Sequence, residues 1–237
     1  MAVLGRTAAL VPAAGRGERL GAGVPKALRL IGGTPMLVHA VHALASSRAV
    51  DLVVVAAPEY EVDEVRALLA EQPGTAEVIV VTGGSTRQAS VARALLTLPS
   101  DVDVVLVHDA ARPLVPSEMV SAVVAEVRRG HDAVIPALPV TDTIKAVNAD
   151  EDVIGTPDRS SLRAVQTPQG FLRSVLQSAH AHADDDSATD DASLVERQGI
   201  TVRVIPGHEE AFKVTRPLDL VLAEAVLAKR RASRALG

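Results

Sequence analysis

The chain has 237 residues, no cysteine, no tryptophan and a formal net charge of -5. This composition excludes disulfides, thiolate metal sites and cysteine nucleophiles, and it fits a cytoplasmic protein. It argues against nucleic-acid and anionic-membrane partners, because those need broad positive fields or aromatic stacking platforms. The length suits one α/β domain over residues 1–237, and no apolar run approaches the ~20 residues that cross a bilayer.

Short apolar runs alternate with segments of helical period along most of the chain. This alternation predicts an α/β fold with a mostly parallel, Rossmann-like sheet that is covered by helices on both faces. The predicted strands are Ala8–Val11, Leu52–Ala57, Glu77–Val81, Val104–Val107, Ala133–Pro136 and Val202–Ile205. The predicted helices are Pro35–Ala45, Val62–Glu71, Arg87–Leu96, Ser117–Arg129, Arg173–Ala183, Ala192–Gln198 and Leu218–Arg231.

The loop after the first predicted strand joins small residues to two following cations. Its small residues are Pro12, Ala13, Ala14, Gly15 and Gly17. With such side chains, backbone N–H groups can converge on phosphate oxygens. Arg19 and Lys26 then add positive charge, while Leu20 departs from a dinucleotide fingerprint and no Gly-Lys-Ser/Thr motif is present. The loop is therefore predicted to hold the polyphosphate of a nucleotide.

Chemistry-bearing residues follow three other predicted strands, where ligands of parallel sheets bind. Gly84 and Ser90 lie in a glycine turn that enters a helix, so they either contact a nucleoside or form an ordinary helix cap. Asp109 follows a buried strand and suits Mg²⁺; the alternative is an ion pair with Arg112 that only shapes the turn. Lys213 precedes the last predicted helix and is expected to face the same site.

Residues 137–167 interrupt the alternation of strands and helices. Two β-like pieces, Asp142–Val147 and Asp152–Ile154, flank a turn-prone segment, which predicts a projecting β-hairpin arm. Because an isolated two-stranded ribbon is marginal in water, the arm is expected to pack on another subunit. A loose surface insertion is the alternative.

Six blocks of the sequence carry a family resemblance in one order along the chain. They are Pro12–Arg19 with Pro25–Lys26, His108–Pro113, Asp158–Arg159, Thr167–Gln169, Thr189–Ser193 and Lys213–Pro217. Together they resemble the 2-C-methyl-D-erythritol 4-phosphate cytidylyltransferases. The resemblance implies a nucleotidyltransferase sheet, CTP-dependent cytidylyl transfer to 2-C-methyl-D-erythritol 4-phosphate, Mg²⁺ or another divalent cation, and a homodimer through the 137–167 arm.

The same resemblance implies roles for individual residues. The implied catalytic residues are Arg19, Lys26, Arg159 and Lys213. The implied nucleotide-binding residues are Pro12, Ala13, Ala14, Gly15, Gly17, Gly84, Ser90 and Asp109, with Asp109 also binding the metal. The implied acceptor-binding residues are Ala110, Arg112, Thr143, Arg159, Thr189 and Lys213, of which Thr143 and Arg159 reach the neighbouring subunit's site. Alternative functions are cytidylyl transfer to another polyol phosphate, such as ribitol 5-phosphate, and non-catalytic nucleotide binding in a regulator.

Overall fold

The computed structural model describes residues 5–14, 26–70, 74–183 and 188–235. Its strands are β1 Arg6–Pro12, β2 Leu30–Ile31, β3 Thr34–Pro35, β4 Leu52–Ala57, β5 Glu77–Thr82, β6 Val102–Val107, β7 Ala133–Pro139, β8 Ala146–Val147, β9 Val153–Gly155, β10 Arg163–Val165, β11 Gln169–Leu172 and β12 Val202–Pro206. Its α-helices are α1 Met36–Ala45, α2 Val62–Ala70, α3 Arg87–Leu96, α4 Ser117–Arg128, α5 Arg173–Ala181, α6 Asp191–Arg197 and α7 Pro217–Ala235.

The central sheet has the strand order β5-β4-β1-β6-β11-β7, with β12 also paired to β7 and β10 paired to the end of β7. The pairs β1–β4, β1–β6, β4–β5 and β7–β12 are parallel, so the prediction of a mostly parallel sheet is confirmed. The sequence did not predict β10 and β11, which both run antiparallel to β7. Strand β11 inserts between β6 and β7.

Helices cover both faces of this sheet, because the side chains of each strand alternate between two cores. In β1, Ala9 and Val11 belong to the core that includes residues of α1, α2 and α4. Ala8 and Leu10 belong to the core that includes residues of α3, α5 and α6. All four are fully buried, as expected for a strand covered on both faces.

The parallel direction brings the loops after β1, β5 and β6 to one edge of the sheet. Gly83, after β5, lies so near the β1 loop that a Cβ at this position would be 2.8 Å from the Cβ of Ala14. The backbone of Ala13 also donates to the carbonyl of Ala56 at 2.8 Å. Small residues in both loops therefore allow the two segments to touch.

The arm is a hairpin, but its ends belong to the central sheet. Strand β7 extends to Pro139, and β10 returns along it, so only residues 140–162 project. Within them β8 pairs antiparallel with β9, and the predicted strand Asp142–Val147 is reduced to its last two residues. The turn is closed by Asn148, whose Oδ1 accepts from the backbone N–H groups of Asp150 and Asp152.

Candidate active site

A cavity of about 220 Å³ opens at the carboxyl ends of β1, β5 and β6. Nine of the residues predicted to bind or react with substrates line it. They are Pro12, Ala13, Ala14, Lys26, Gly84, Ser90, Asp109, Ala110 and Lys213. The structure thus brings residues from five separated stretches of the described chain to one place.

Asp109 is the charged centre of this cavity. The ammonium of Lys213 lies 2.8 Å from its Oδ2, and Arg87 Nε donates to its Oδ1 at 3.2 Å. Burial opposes ionisation of the carboxyl, but the neighbouring Arg87 and Lys213 hold the pKa of Asp109 well below its usual range. Arg112 Nε is more distant, at 3.9 Å from Asp109 Oδ2. An ion pair with Arg112 that only shapes the turn therefore does not by itself explain a carboxylate at position 109.

The backbone of Asp109 is fixed by a buried network of uncharged groups. Its N–H donates to Thr167 Oγ1 at 3.0 Å, and the Thr167 hydroxyl lies 3.1 Å from His108 Nδ1. His108 Nε2 lies 3.1 Å from the carbonyl of Arg112. A carbonyl only accepts, so Nε2 carries the proton and Nδ1 accepts from Thr167. Burial lowers the pKa of His108 to about 4, which keeps its ring neutral.

The loop after β5 caps a helix and also lines the cavity, while its contact with a nucleoside stays a prediction. Thr86 caps α3 by accepting from the N–H of Ala89, as an ordinary helix cap does. Ser90 Oγ accepts from the N–H of Gly84 at 3.0 Å and donates to the carbonyl of Thr86 at 2.8 Å. A Cβ at Gly84 would clash with Ala89. The hydroxyl of Ser90 therefore fixes the Gly84 backbone at the wall of the cavity.

Backbone contacts hold Lys213 opposite these loops. The N–H of Val214 donates to the carbonyl of Ala111 at 2.8 Å. Arg112 donates from Nη1 to the carbonyl of Ala211 at 2.8 Å and from Nη2 to the carbonyl of Val165 at 3.1 Å. Arg112 thereby joins the β6 loop to the Lys213 segment and to β10. It does not line the cavity, and its predicted contact with the acceptor stays a prediction.

Comparison with known proteins identifies the family. The model of the 2-C-methyl-D-erythritol 4-phosphate cytidylyltransferase (IspD) family matches residues 7–229. The chain belongs to this family. A protein of that name from Streptomyces coelicolor is 60% identical over 234 residues, covering 95% of this chain and 86% of the relative.

Solved structures of the cytidylyltransferase family share the fold. The enzyme of Thermus thermophilus is 39% identical with a TM-score of 0.73, covering 93% of this chain and 98% of that one. The 4-diphosphocytidyl-2C-methyl-D-erythritol synthase of Anaerococcus prevotii is 26% identical with a TM-score of 0.82, covering 94% and 96%. Membership of this family confirms the prediction of a nucleotidyltransferase and disfavours a non-catalytic regulator.

Some residues that the family resemblance singled out do not line the cavity. Thr143 and Arg159 are exposed in the projecting arm, where Arg159 Nη1 donates to the carbonyl of Thr141 at 2.6 Å. Thr189 is exposed just before α6. Gly15, Gly17 and Arg19 lie outside the described residues. The roles of all these residues stay predictions.

Arg87 is a cavity residue that the sequence reasoning missed. It begins α3, and its guanidinium contacts both Asp109 and Asp191. A cation in the first turn of a helix opposes the helix dipole, so its presence indicates a carboxylate partner. That signal could have found Arg87, but it could not have identified Asp191 in a distant part of the chain.

The residues present fit a divalent cation that takes most of its ligands from the substrate. No group of three or more carboxylate or histidine side chains suited to a metal occurs among the described residues. Asp109 supplies one ionised oxygen donor group at the cavity. Mg²⁺ is often bound by only one or two carboxylates together with phosphate oxygens and water.

Proposed function

We propose that this protein transfers a cytidylyl group from CTP to 2-C-methyl-D-erythritol 4-phosphate, releasing pyrophosphate. The observation that carries the proposal is the convergence of Lys26, Lys213 and Asp109 on one cavity, beside small-residue loops, in a chain of this family. None of the described helices is long and apolar enough to span a membrane. A cytoplasmic location stays a prediction from the cysteine-free sequence.

The reaction brings two anions together. An oxygen of the acceptor phosphate attacks the α-phosphorus of CTP, and the bond from that phosphorus to the bridging oxygen breaks as pyrophosphate leaves. At about 4 Å and an effective dielectric constant of about 20, each pair of unit charges costs roughly 4 kcal/mol. Fixed cations that offset this repulsion, most strongly at the five-coordinate phosphorus, are therefore the main catalytic requirement.

The lysines that line the cavity suit this requirement. We assign Lys26 to the charge that accumulates on the five-coordinate α-phosphorus, and the family resemblance assigns the same role to Arg19, which lies outside the described residues. We assign Lys213, which lies beside Asp109, to holding the acceptor phosphate in line with the α-phosphorus. Asp109 would bind the divalent cation, which supplies further neutralisation of the phosphate oxygens.

A homodimer completes the proposed site. In one subunit Arg159 lies on the projecting arm and outside the cavity, so its catalytic role requires the cavity of a second subunit. The arm exposes apolar side chains, including Val153 at 59% and Ile154 at 67%, which supports packing against a partner. Sedimentation velocity at micromolar concentration tests this assignment, and a 24.6 kDa species would contradict it.

Pyrophosphate release tests the proposed reaction directly. With CTP, 2-C-methyl-D-erythritol 4-phosphate and Mg²⁺, we expect pyrophosphate and the diphosphocytidyl ester of the acceptor in equal amounts. EDTA should abolish the formation of both products. UTP, ATP and ribitol 5-phosphate serve as alternative substrates, and faster turnover with any of them would contradict the assignment. Lys213→Ala should lose at least 100-fold in rate, whereas the matched control Lys229→Ala, an exposed lysine of α7, should retain wild-type activity.

A further inference from the structure

Asp191 is a buried carboxylate that the proposed reaction does not use. It is 1% exposed at the start of α6. Its Oδ2 accepts from Arg87 Nη1 at 2.7 Å, and its Oδ1 accepts from His180 Nε2 at 2.9 Å. A buried charge costs several kcal/mol unless it is paired and hydrogen-bonded. Arg87 and His180 supply that pairing from α3 and α5.

The backbone around Asp191 is fixed to the sheet. Gln169 of β11 is fully buried and donates from Nε2 to Asp190 Oδ2 at 2.6 Å. Its Oε1 accepts from the N–H of Ala192 at 3.1 Å. Asp190 also caps α6 by accepting from the N–H of Ser193. Because β11 is an inner strand, the Asp191 carboxylate has a defined position relative to the cavity.

Arg87 connects this fixed carboxylate to the reaction site. Its Nε donates to Asp109 and its Nη1 donates to Asp191, so the planar guanidinium is held at two points. Nη2 has no partner within the part of the chain that the structure describes, and Arg87 lines the cavity. The arginine therefore keeps donors for a ligand while its orientation is restrained.

We propose that Asp191, held by His180, is a positioning residue that aims Arg87 at the phosphates of the nucleotide, which makes Arg87 a further phosphate-binding residue. The inference rests on the proposed function. A lysine could not replace Arg87, because a single ammonium on a flexible stem does not reproduce a planar bridge between two carboxylates. Without Asp191, the arginine pairs with Asp109 alone and loses its second point of attachment.

For Asp191→Asn, the loss of a charge and the loss of positioning predict opposite changes in CTP affinity. The substitution removes one negative charge near the cavity, so a pure charge effect strengthens CTP binding. Loss of positioning instead weakens CTP binding and lowers kcat/KM. We expect CTP Kd to rise and kcat/KM for CTP to fall, each by about 10- to 100-fold, by analogy with the loss found when the hydrogen-bonding partners of metal ligands are removed.

A double-mutant cycle tests whether Asp191 acts through Arg87. CTP Kd is measured by isothermal titration calorimetry without the acceptor, and kcat/KM is measured by pyrophosphate release. Arg87→Gln should show losses of the same size as Asp191→Asn, and the double variant should be no worse than Arg87→Gln. The proposal is overturned if the loss in the double variant equals the product of the two single losses. It is also overturned if either single variant binds CTP with the wild-type Kd.

Matched variants separate positioning from folding. Glu196→Gln removes one negative charge from an exposed position of α6 without altering the contacts of Arg87 with Asp109 and Asp191, so CTP Kd should stay within twofold of the wild type. An equal loss of CTP affinity in Glu196→Gln overturns the inference. If Asp191→Asn does not fold, Arg87→Lys provides the test. A loss of CTP affinity of at least tenfold supports the positioning role of Asp191, and a wild-type CTP Kd overturns the proposal.

The two readouts separate this inference from the proposed function. A wild type that binds CTP but releases no pyrophosphate would contradict the proposed reaction, while CTP Kd would still report on Arg87 and Asp191. Undetectable CTP binding by the wild type would overturn both.

Discussion

Replacing Thr167 by valine tests whether the buried network behind Asp109 supports the site. Thr167 is 4% exposed, and its hydroxyl accepts from the Asp109 N–H and donates to His108 Nδ1. Valine has nearly the same shape but no hydroxyl, so the substitution creates no cavity. It leaves one buried donor and one buried acceptor without partners.

The expected loss of stability follows from those two groups. Each buried polar group without a partner costs about 1–3 kcal/mol, so Thr167→Val should lower the free energy of unfolding by about 2–6 kcal/mol. For a chain of this size, 1 kcal/mol corresponds to about 2–4 °C in Tm. Even a loss of ~3 kcal/mol therefore lowers Tm by about 6–12 °C. Thr167→Ser keeps the hydroxyl and loses only one methyl group, worth about 1 kcal/mol.

Urea unfolding at pH 7 and steady-state kinetics of both variants provide the assay. Thr167→Val should unfold at lower urea concentration than Thr167→Ser, and its kcat should fall about tenfold because the Asp109 backbone loses its anchor. Equal stability of the two variants would refute the claim that the hydroxyl, rather than the methyl group, carries the contribution of Thr167.

Four further substitutions or conditions give separate tests. Lys26→Ala should lower kcat by about 10²–10³-fold, a loss of ~3–4 kcal/mol in the transition state, and a change below tenfold at saturating CTP would remove Lys26 from the catalytic residues. Arg159→Ala should mainly raise KM for the acceptor; a change in the CTP KM alone would contradict its role. Gly84→Ala should raise the CTP KM at least tenfold, because the added Cβ clashes with Ala89 and shifts the cavity wall; wild-type kinetics would show that the loop adapts. Burial lowers the pKa of His108 to about 4 in the folded protein, against about 6.5 in the unfolded chain. The free energy of unfolding is therefore unaffected by His108 above pH 6.5, and it falls by roughly 3 kcal/mol as the pH drops towards 4. Urea titrations from pH 7 to 4 should show this slope, and His108→Gln should flatten it.

The sequence predicts the site well where local pattern and chain direction suffice. Val104–Val107 is apolar without interruption, which indicates a strand buried on both faces, and Asp109 follows it directly. Because parallel strands end at one edge of a sheet, residues after different strands must meet there. The meeting of Lys26, Asp109 and Lys213 at one cavity agrees with that reasoning.

The elements that sequence reasoning missed depend on distant partners. Strand β11 has only four residues, and these include Gln169 and Gly170, which weaken any strand pattern. Gly170 is required there because a Cβ would meet Val123 of α4 at 2.5 Å. Gln169 is tolerated in the interior because its side chain donates to Asp190 and accepts from the N–H of Ala192 at the start of α6. Neither constraint can be read from neighbouring residues.

The ion pairs of the site explain how Arg87 and Lys213 can lie close together at a cavity that is to bind a polyanion. Lys213 and Asp109 at 2.8 Å attract each other by about 6 kcal/mol at an effective dielectric constant of about 20, before the cost of desolvation is counted. Asp191 compensates the charge of Arg87 in the same way, at 2.7 Å. A phosphate dianion carries more charge than one carboxylate, so it can compete for Lys213 when it arrives. Asp109 and Asp191 thus limit the repulsion between Lys213 and Arg87, and they hold both cations in position for a phosphate.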